Sequence, residues 1–495
     1  MPPNHIAVLG GGLTGLSSAF HLSRRFPSAN ITIIDKNKRL GGWASNTERV
    51  QLPGGLGSVL LEGGPRTLRP TAKSALELIH LLGLEDSVVT TPKSSPAAKR
   101  RYLHVPGTPG IYEIPGLRLS YLWSELRFFI SPGVSFELIR GWNRPEGVLD
   151  ESLESFLTRR GHPVTARVLG SALVHGIYAA DARLLSVRAA FPKLWELEEK
   201  GNGRILWGLL TRSRKDKEEE RLKDEEDSKR YQLGEVMKIM EGAAVYSFRD
   251  GMSTLPKALA QFIDKNPKIR VLSDTEITSL RSGEEQNFEI TTNRANSIYP
   301  SHIVSALPLP ILNKLLPEAH SLPYLTTNPS SSVTAINLVF PSTKIYPPGF
   351  GYLVCRPEDD YKADDAGILG VTFDSVALPG QDDLAPDTRL TKVTVMIGGP
   401  HRAPETRLPV VLAHLQYQLN RRAPLPEPLV VRTWEHRACI PTPLPGHLER
   451  MGKLREALLS EEGPWRGRME VIGAGVKGVS VGDCIESGKT VGMEW

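Results

Sequence analysis

The positions of this chain best suited to chemistry are glycines placed where a strand pattern gives way to a helix pattern. Gly10, Gly11, Gly12, Leu13, Thr14 and Gly15 follow the apolar run 6–9, and Asp35 follows a second apolar run at 31–34. Glycines at this spacing allow a tight strand-to-helix turn and let a pyrophosphate approach the backbone at the positive end of a helix. An acidic side chain about twenty residues further on accepts ribose hydroxyls. The far end repeats the arrangement: the run 471–472, Gly473, Ala474 and Gly475, then 478–488 with a second helix start. A dinucleotide held from both ends of the sequence is the chemistry these positions imply.

Two further loops extend the reading. Arg39, Leu40, Gly41, Gly42 and Trp43 form one, and Glu62, Gly63, Gly64, Pro65 and Arg66 the other. A nicotinamide enzyme does not need them, and as ordinary tight turns they would have no partner. A flavin adenine dinucleotide does need such loops, because its ring must be carried well past the pyrophosphate and set against a substrate.

The elements that must position these loops follow from length and pattern. At 495 residues the chain exceeds one ordinary core. A net charge of +5 and a hydrophobic content of 40% exclude a dedicated nucleic-acid binder and describe a globular protein. Three widely separated cysteines give neither a disulfide framework nor a zinc pattern and fit a reducing compartment. No apolar stretch reaches the ~20 residues that span a bilayer, so membrane contact is expected to be monotopic. The first strand pattern begins at about residue 6, with no secretory signal and no room before it for an arginine-rich transit helix.

The expected fold class is mixed, α/β and α+β, with a discontinuous Rossmann-like FAD-binding domain at 1–91, 231–308 and 465–495. Residues 92–211 read as a helical domain, and 309–464 as a substrate domain built on an antiparallel sheet, from strand patterns at 331–340, 351–355, 368–373 and 393–397. The mixed-charge run 212–230 reads as a solvated, disordered insertion. In the helical segment Leu119, Leu122, Trp123, Leu126, Phe129 and Ile130 share one face, which fits either a helix on its own core or one lying on a membrane surface.

With these residues in view, the chain resembles the protoporphyrinogen oxidase family of the amine oxidase and desaturase flavoprotein superfamily, almost end to end. The glycine turns are shared by the whole superfamily, whereas 350–354, 374–377 and 393–396 are more particular to porphyrinogen oxidation. The resemblance implies oxidation of protoporphyrinogen IX to protoporphyrin IX with FAD, three molecules of oxygen becoming hydrogen peroxide. It implies no acid or base triad, since the protein's task is alignment. It implies that Arg101, next to Arg100 in the run 96–102, pairs with a substrate propionate, for which a guanidinium is well shaped. Leu173, Gly176, Phe350, Gly351, Leu353 and Met396 are implied as the pocket lining. Implied cofactor contacts are Gly10 to Gly15, Asp35, Trp43, Gly64, Pro65, Arg66 and Thr67, with Ile277 on the adenine side. Ala474, Val479, Ser480, Val481 and Asp483 complete them at the far end.

Asp35 stands where glutamate is commoner, and Gly482 where a larger polar residue is often seen. The family implies peripheral attachment to the mitochondrial inner membrane through the helical domain, a homodimer, and product hand-off to ferrochelatase. Competing readings are coproporphyrinogen III oxidase, another flavin amine oxidase or a carotenoid desaturase. A non-enzymatic alternative is a prenyl-protein escort of the same fold.

Overall fold

The apolar run His5–Leu9 is a strand because its side chains are buried on both faces, the condition of a central parallel strand. In the computed structural model it lies in a five-stranded parallel sheet. The order is Met469–Val471, His302–Ser305, His5–Leu9, Asn30–Ile34 and Ile269–Leu272. Strands distant in sequence are thus neighbours, and the cofactor domain is discontinuous. The structure describes residues 2–114, 143–210, 214–283, 287–294, 297–342, 345–362, 366–401, 404 and 406–495. One face of the sheet is covered by helices Leu13–Arg25, Lys73–Leu81, Thr254–Lys265 and Val481–Thr490. Its core includes Ile6, Val8, Leu16, Phe20 and Leu255. The other face packs Ala7 and Leu9 against Leu309, Leu312, Leu454 and Trp465.

A second sheet has seven strands. They run in the order Val430–Pro441, Ser330–Phe340, Thr391–Gly398, Ile368–Thr372, Gly351–Val354, Tyr102–His104 and Tyr112–Glu113. It is antiparallel, as its alternating patterns predict, except where Gly351–Val354 pairs in parallel with Tyr102–His104. Those last two strands fall within 92–211, read above as helical. At three and two residues they are too short to display alternation, and only tertiary pairing makes them strands. One face of the sheet buries Ile336, Leu338, Val371, Val393 and Val395 together with Val411 and Leu415 of the helix Leu408–Gln418. The other face looks toward the cofactor domain.

The helical part comprises Leu153–Arg160, Ser171–Tyr178 and Pro192–Lys200 around Phe156, Val174, Tyr178 and Trp195. Its Glu198 is fully buried and bound by Arg144 at 2.5 Å and Arg159 at 2.5 Å, so the buried charge is paired. The aromatic stripe at 119–130 lies outside the described residues. The run 212–230, expected as disordered, instead carries the helix Arg214–Ser228. Within it Arg221 pairs with Glu218 and Glu225 at helical spacing. Directly after it, Tyr231 donates to Glu486 at 3.0 Å, which ties the segment to the carboxyl-terminal helix. Among the described residues no helix is long and apolar enough to cross a membrane.

Candidate functional site

Parallel strands end at one edge of their sheet, which brings the glycine turns together there. Gly10 follows the strand His5–Leu9 and Gly473 follows Met469–Val471, with His302–Ser305 between them. A Cβ built on Gly473 would lie 3.7 Å from Thr14 Cγ2, so the two ends of the chain form one cradle. Gly15 admits no side chain, because a Cβ there would overlap the carbonyl oxygen of Gly10. Gly12, by contrast, faces open space with nothing within 4 Å. It caps the helix Leu13–Arg25 without a side-chain bond, and the first turn carries no acidic residue. The free N–H groups and positive dipole end of that turn suit a pyrophosphate.

Asp35 is held for its task by the backbone. Its Oδ2 accepts the Gly11 N–H at 2.7 Å and its Oδ1 the Asn37 N–H at 2.7 Å. Its own carbonyl accepts the Thr275 N–H at 3.0 Å, which places Ile277, at the head of Ile277–Ser282, beside the same end of the cradle. The Gly41 N–H donates to the Gly11 carbonyl at 2.8 Å and brings the Trp43 loop against the first turn. At the far end Ser480 and Asp483 form a capping box, each bonding the other's backbone N–H at 3.1 Å. Their side chains are therefore spent on their own helix, and main-chain N–H groups are what this turn offers an anion. Val479 and Tyr178 pack together in the helical core, and burial with the Asp483 charge pushes the Tyr178 hydroxyl up to about 12. The donors and spaces fit a dinucleotide at both ends.

The flavin loop is gripped by the seven-stranded sheet. Lys392 Nζ donates to the Leu60 carbonyl at 2.8 Å, Asn337 to that of Glu62 at 3.2 Å, and His436 to that of Gly63 at 2.7 Å. Arg66 donates to Thr372 at 2.6 Å and to Asp374 at 2.8 Å. Thr394 donates to the second oxygen of Asp374 at 2.6 Å and accepts from Asn337 at 2.6 Å, while the Trp434 indole donates to Asn337 at 2.8 Å. Glu62 is buried, and desolvation lifts its carboxyl to about 7 despite the Met252 N–H at 2.7 Å.

Sequence reasoning gave none of Asn337, Thr372, Asp374, Lys392, Thr394, Trp434 or His436 a role. The available signal was a polar residue at an inward position of an otherwise apolar strand, as at Asn337 and Lys392. Its partners, however, lie about 270 to 330 residues away, a separation that only the fold closes.

Cross-strand partners share a face of a sheet, and two adjacent rows on the flavin-loop side differ in character. Thr372, Thr394 and Asn337 form the polar row just described. The neighbouring row is Leu353, Gly370, Met396, Ala335 and Trp434, apolar throughout, with the small residues Gly370 and Ala335 on either side of Met396. Over its Leu353 end stands the helix Ser171–Tyr178. A Cβ on Gly176 would lie 2.7 Å from Leu353 Cδ2, and Leu173, Gly176 and Ile177 are exposed along one side of that helix. Phe350 and Arg101 sit at the entry ends of the paired strands Gly351–Val354 and Tyr102–His104, the guanidinium 6.0 Å from the Phe350 ring centroid. Arg100 points to Glu113 at 3.9 Å instead. Among the described residues Arg101 makes no ion pair. Leu173, Gly176, Leu353 and Met396 thus line a slot between this helix and the apolar row, whereas Gly351 pairs with Thr372 at the end of the polar row, with Phe350 and Arg101 just before the two paired strands.

Comparison with known proteins agrees with this geometry. The profile of the flavin containing amine oxidoreductases matches residues 13–492. Human protoporphyrinogen oxidase is 30% identical over 98% of this chain and 96% of its own length. Coproporphyrinogen III oxidase of Bacillus subtilis is 24% identical over 98% and 96%. A crystallised Exiguobacterium sp. 255-15 protein with the provisional name protoporphyrinogen oxidase superposes with a TM-score of 0.74. It covers 98% of this chain and 97% of its own at 21% identity, a likeness of fold. The cradle is that of an FAD-dependent oxidoreductase. The chain belongs to the flavin containing amine oxidoreductases and, among them, to the protoporphyrinogen oxidase family.

Proposed function

We propose that this protein oxidises protoporphyrinogen IX to protoporphyrin IX, with molecular oxygen as the final acceptor. The observation that carries the reading is the apolar row of the sheet lying directly beside the polar row that fixes the flavin loop. One rigid surface thereby sets both reactants. FAD, when bound, supplies the hydride acceptor and passes electrons to oxygen. The chain's own residues do the rest by position. The apolar row, with small Gly370 and Ala335 flanking Met396 and with Leu353 and Trp434 at its ends, accepts a flat macrocycle. Arg101 presents a guanidinium to a propionate at the slot's entrance. No side chain is required to move a proton in order to align the reacting carbon, and rate is gained from orientation and exclusion of water.

Coproporphyrinogen III, with four carboxylates, calls for more cations. Beside Arg101, Arg100 is directed to Glu113; past the other end of the strand Gly351–Val354, Arg356 is paired with Glu154 and Arg167 donates to the Arg356 carbonyl. Arg101 is left to serve a substrate with fewer carboxylates. With the reaction we propose peripheral attachment at the mitochondrial inner membrane, a homodimer, and release of product to ferrochelatase. The support is the aromatic stripe in the sequence at 119–130 and the poor water solubility of substrate and product.

The test is a detergent-purified protein whose visible spectrum is recorded, followed by porphyrin fluorescence in air with protoporphyrinogen IX and coproporphyrinogen III side by side. Bound flavin with a strong preference for protoporphyrinogen is expected. Flavin with oxidation of neither overturns the proposal in favour of another oxidase of the superfamily, and absence of flavin points to an escort.

A further inference from the structure

The slot has two walls that belong to different parts of the fold, the helix Ser171–Tyr178 and the strand Gly351–Val354. They are tied at two places: at the helix start Ser171 Oγ accepts the Arg356 N–H at 2.8 Å, and further along, level with the slot, one buried side chain reaches the strand itself. His175 lies on the helix between Leu173 and Gly176 and is 4% exposed. Its Nδ1 is 2.7 Å from the carbonyl oxygen of Val354, the residue after Leu353, and its Nε2 is 2.8 Å from the Tyr361 hydroxyl. A carbonyl can only accept, so Nδ1 carries the proton; burial pushes the imidazole down to about 4, which leaves Nε2 unprotonated to receive the hydrogen of Tyr361. The ring is thus neutral, with both nitrogens satisfied.

Tyr361 is itself fixed on every side. Its ring meets His401 edge-on at 4.9 Å and His175 at 5.7 Å, and the Arg183 guanidinium lies 5.7 Å from its centroid. Arg183 is in turn bound to Asp181 at 2.6 Å and Asp360 at 2.9 Å. This chain of contacts runs from the surface to the back of the helix whose other side lines the slot. Glycine at 176 lets the helix approach Leu353, but removal of a side chain sets only how near it can come. The His175 bond to Val354, the neighbour of Leu353 on the same strand, is the restraint that lies level with Gly176.

We propose that His175, supported by Tyr361, is a positioning residue that fixes the width of the slot between Leu173–Gly176 and Leu353, and thereby the fit of the porphyrinogen. The proposal rests on the functional reading above and names the device that holds one wall. A histidine that merely satisfies the core would affect stability alone. A histidine that sets the slot affects substrate binding in a protein that still folds and still holds its cofactor, because a displaced wall loses contact with the ring in ground state and transition state alike, a loss that falls on KM.

The experiment compares wild type with H175L, H175N and Y361F as flavin-loaded proteins. Flavin content is read from the visible spectrum, the thermal midpoint is measured, and KM and kcat are determined for protoporphyrinogen IX and coproporphyrinogen III. H175L removes both hydrogen bonds, H175N keeps a donor near the Nδ1 position, and Y361F removes only the support. With flavin retained, H175L is expected to raise KM about tenfold with kcat changed less than about threefold, H175N to recover most of that loss, and Y361F to show a smaller rise. Unchanged KM in H175L alongside a lowered midpoint overturns the proposal. Should H175L not fold, unchanged KM in Y361F overturns it and a raised KM supports it. Wild type that oxidises neither porphyrinogen overturns the functional reading instead, which keeps the two failures apart.

Discussion

Replacing Asp374 by asparagine tests the idea that the sheet holds the flavin loop through Arg66. The carboxylate takes Arg66 on one oxygen at 2.8 Å and Thr394 on the other at 2.6 Å, and the two charged side chains are only 9% and 12% exposed. Breaking a buried ion pair by neutralising one partner costs about 3–5 kcal/mol, because the other charge is left buried. Thr372 still accepts from Arg66 at 2.6 Å, and one amide oxygen remains, which puts D374N at the low end, near 3 kcal/mol. T394V removes a hydroxyl that donates to Asp374 and accepts from Asn337, two buried hydrogen bonds worth about 1–3 kcal/mol together. The residues share one network, so the double variant should lose less than the sum by at least about 0.5 kcal/mol. The assay is denaturant unfolding of the flavin-loaded protein at two FAD concentrations, with flavin release followed by fluorescence. D374N should lose both stability and flavin, and added FAD should recover part of the loss by mass action. A D374N protein within about 0.5 kcal/mol of wild type that holds its flavin normally would refute the argument, since a buried guanidinium would then have tolerated the loss of its partner.

Three other expectations follow from the same geometry. G15A forces a methyl group into the Gly10 carbonyl, so FAD affinity measured by titration of the apoprotein should fall at least about tenfold, and normal affinity would contradict the cradle. R101A should raise KM for protoporphyrinogen about 10- to 100-fold, the worth of a charge-assisted pair, with kcat little changed, while R100A should do neither. Glu62 binds its proton more tightly folded, at about 7, than in its ordinary range, so its contribution to stability is present at acid pH and is lost as pH rises through the window from 4.5 to about 7. E62Q keeps the acceptor for Met252 and removes the titration. The wild-type stability should fall relative to E62Q by up to about 1.4 kcal/mol per pH unit in that window, and parallel curves would show that Glu62 ionises normally.

Local chemistry was enough to place the cofactor. Glycines at 10, 12 and 15, the acid at 35 and the second turn at 473–475 are legible because a phosphate cradle needs closely spaced residues on one strand-to-helix turn, and such spacing is written in the chain. The long strands of the second sheet are equally legible from their alternation, and Arg101 was singled out by the family pattern around it. Tyr102–His104 was not legible, since three residues carry no period, nor was the helix Arg214–Ser228, whose mixed-charge sequence carries no apolar stripe. What the tertiary structure alone decided is the joining of the two halves. Lys392, Asn337 and His436 reach the flavin loop, and His175 reaches Val354, across separations of 179 to 373 residues. A hydrogen bond acts over about 3 Å whatever the contour length between its partners, so no spacing along the chain records it.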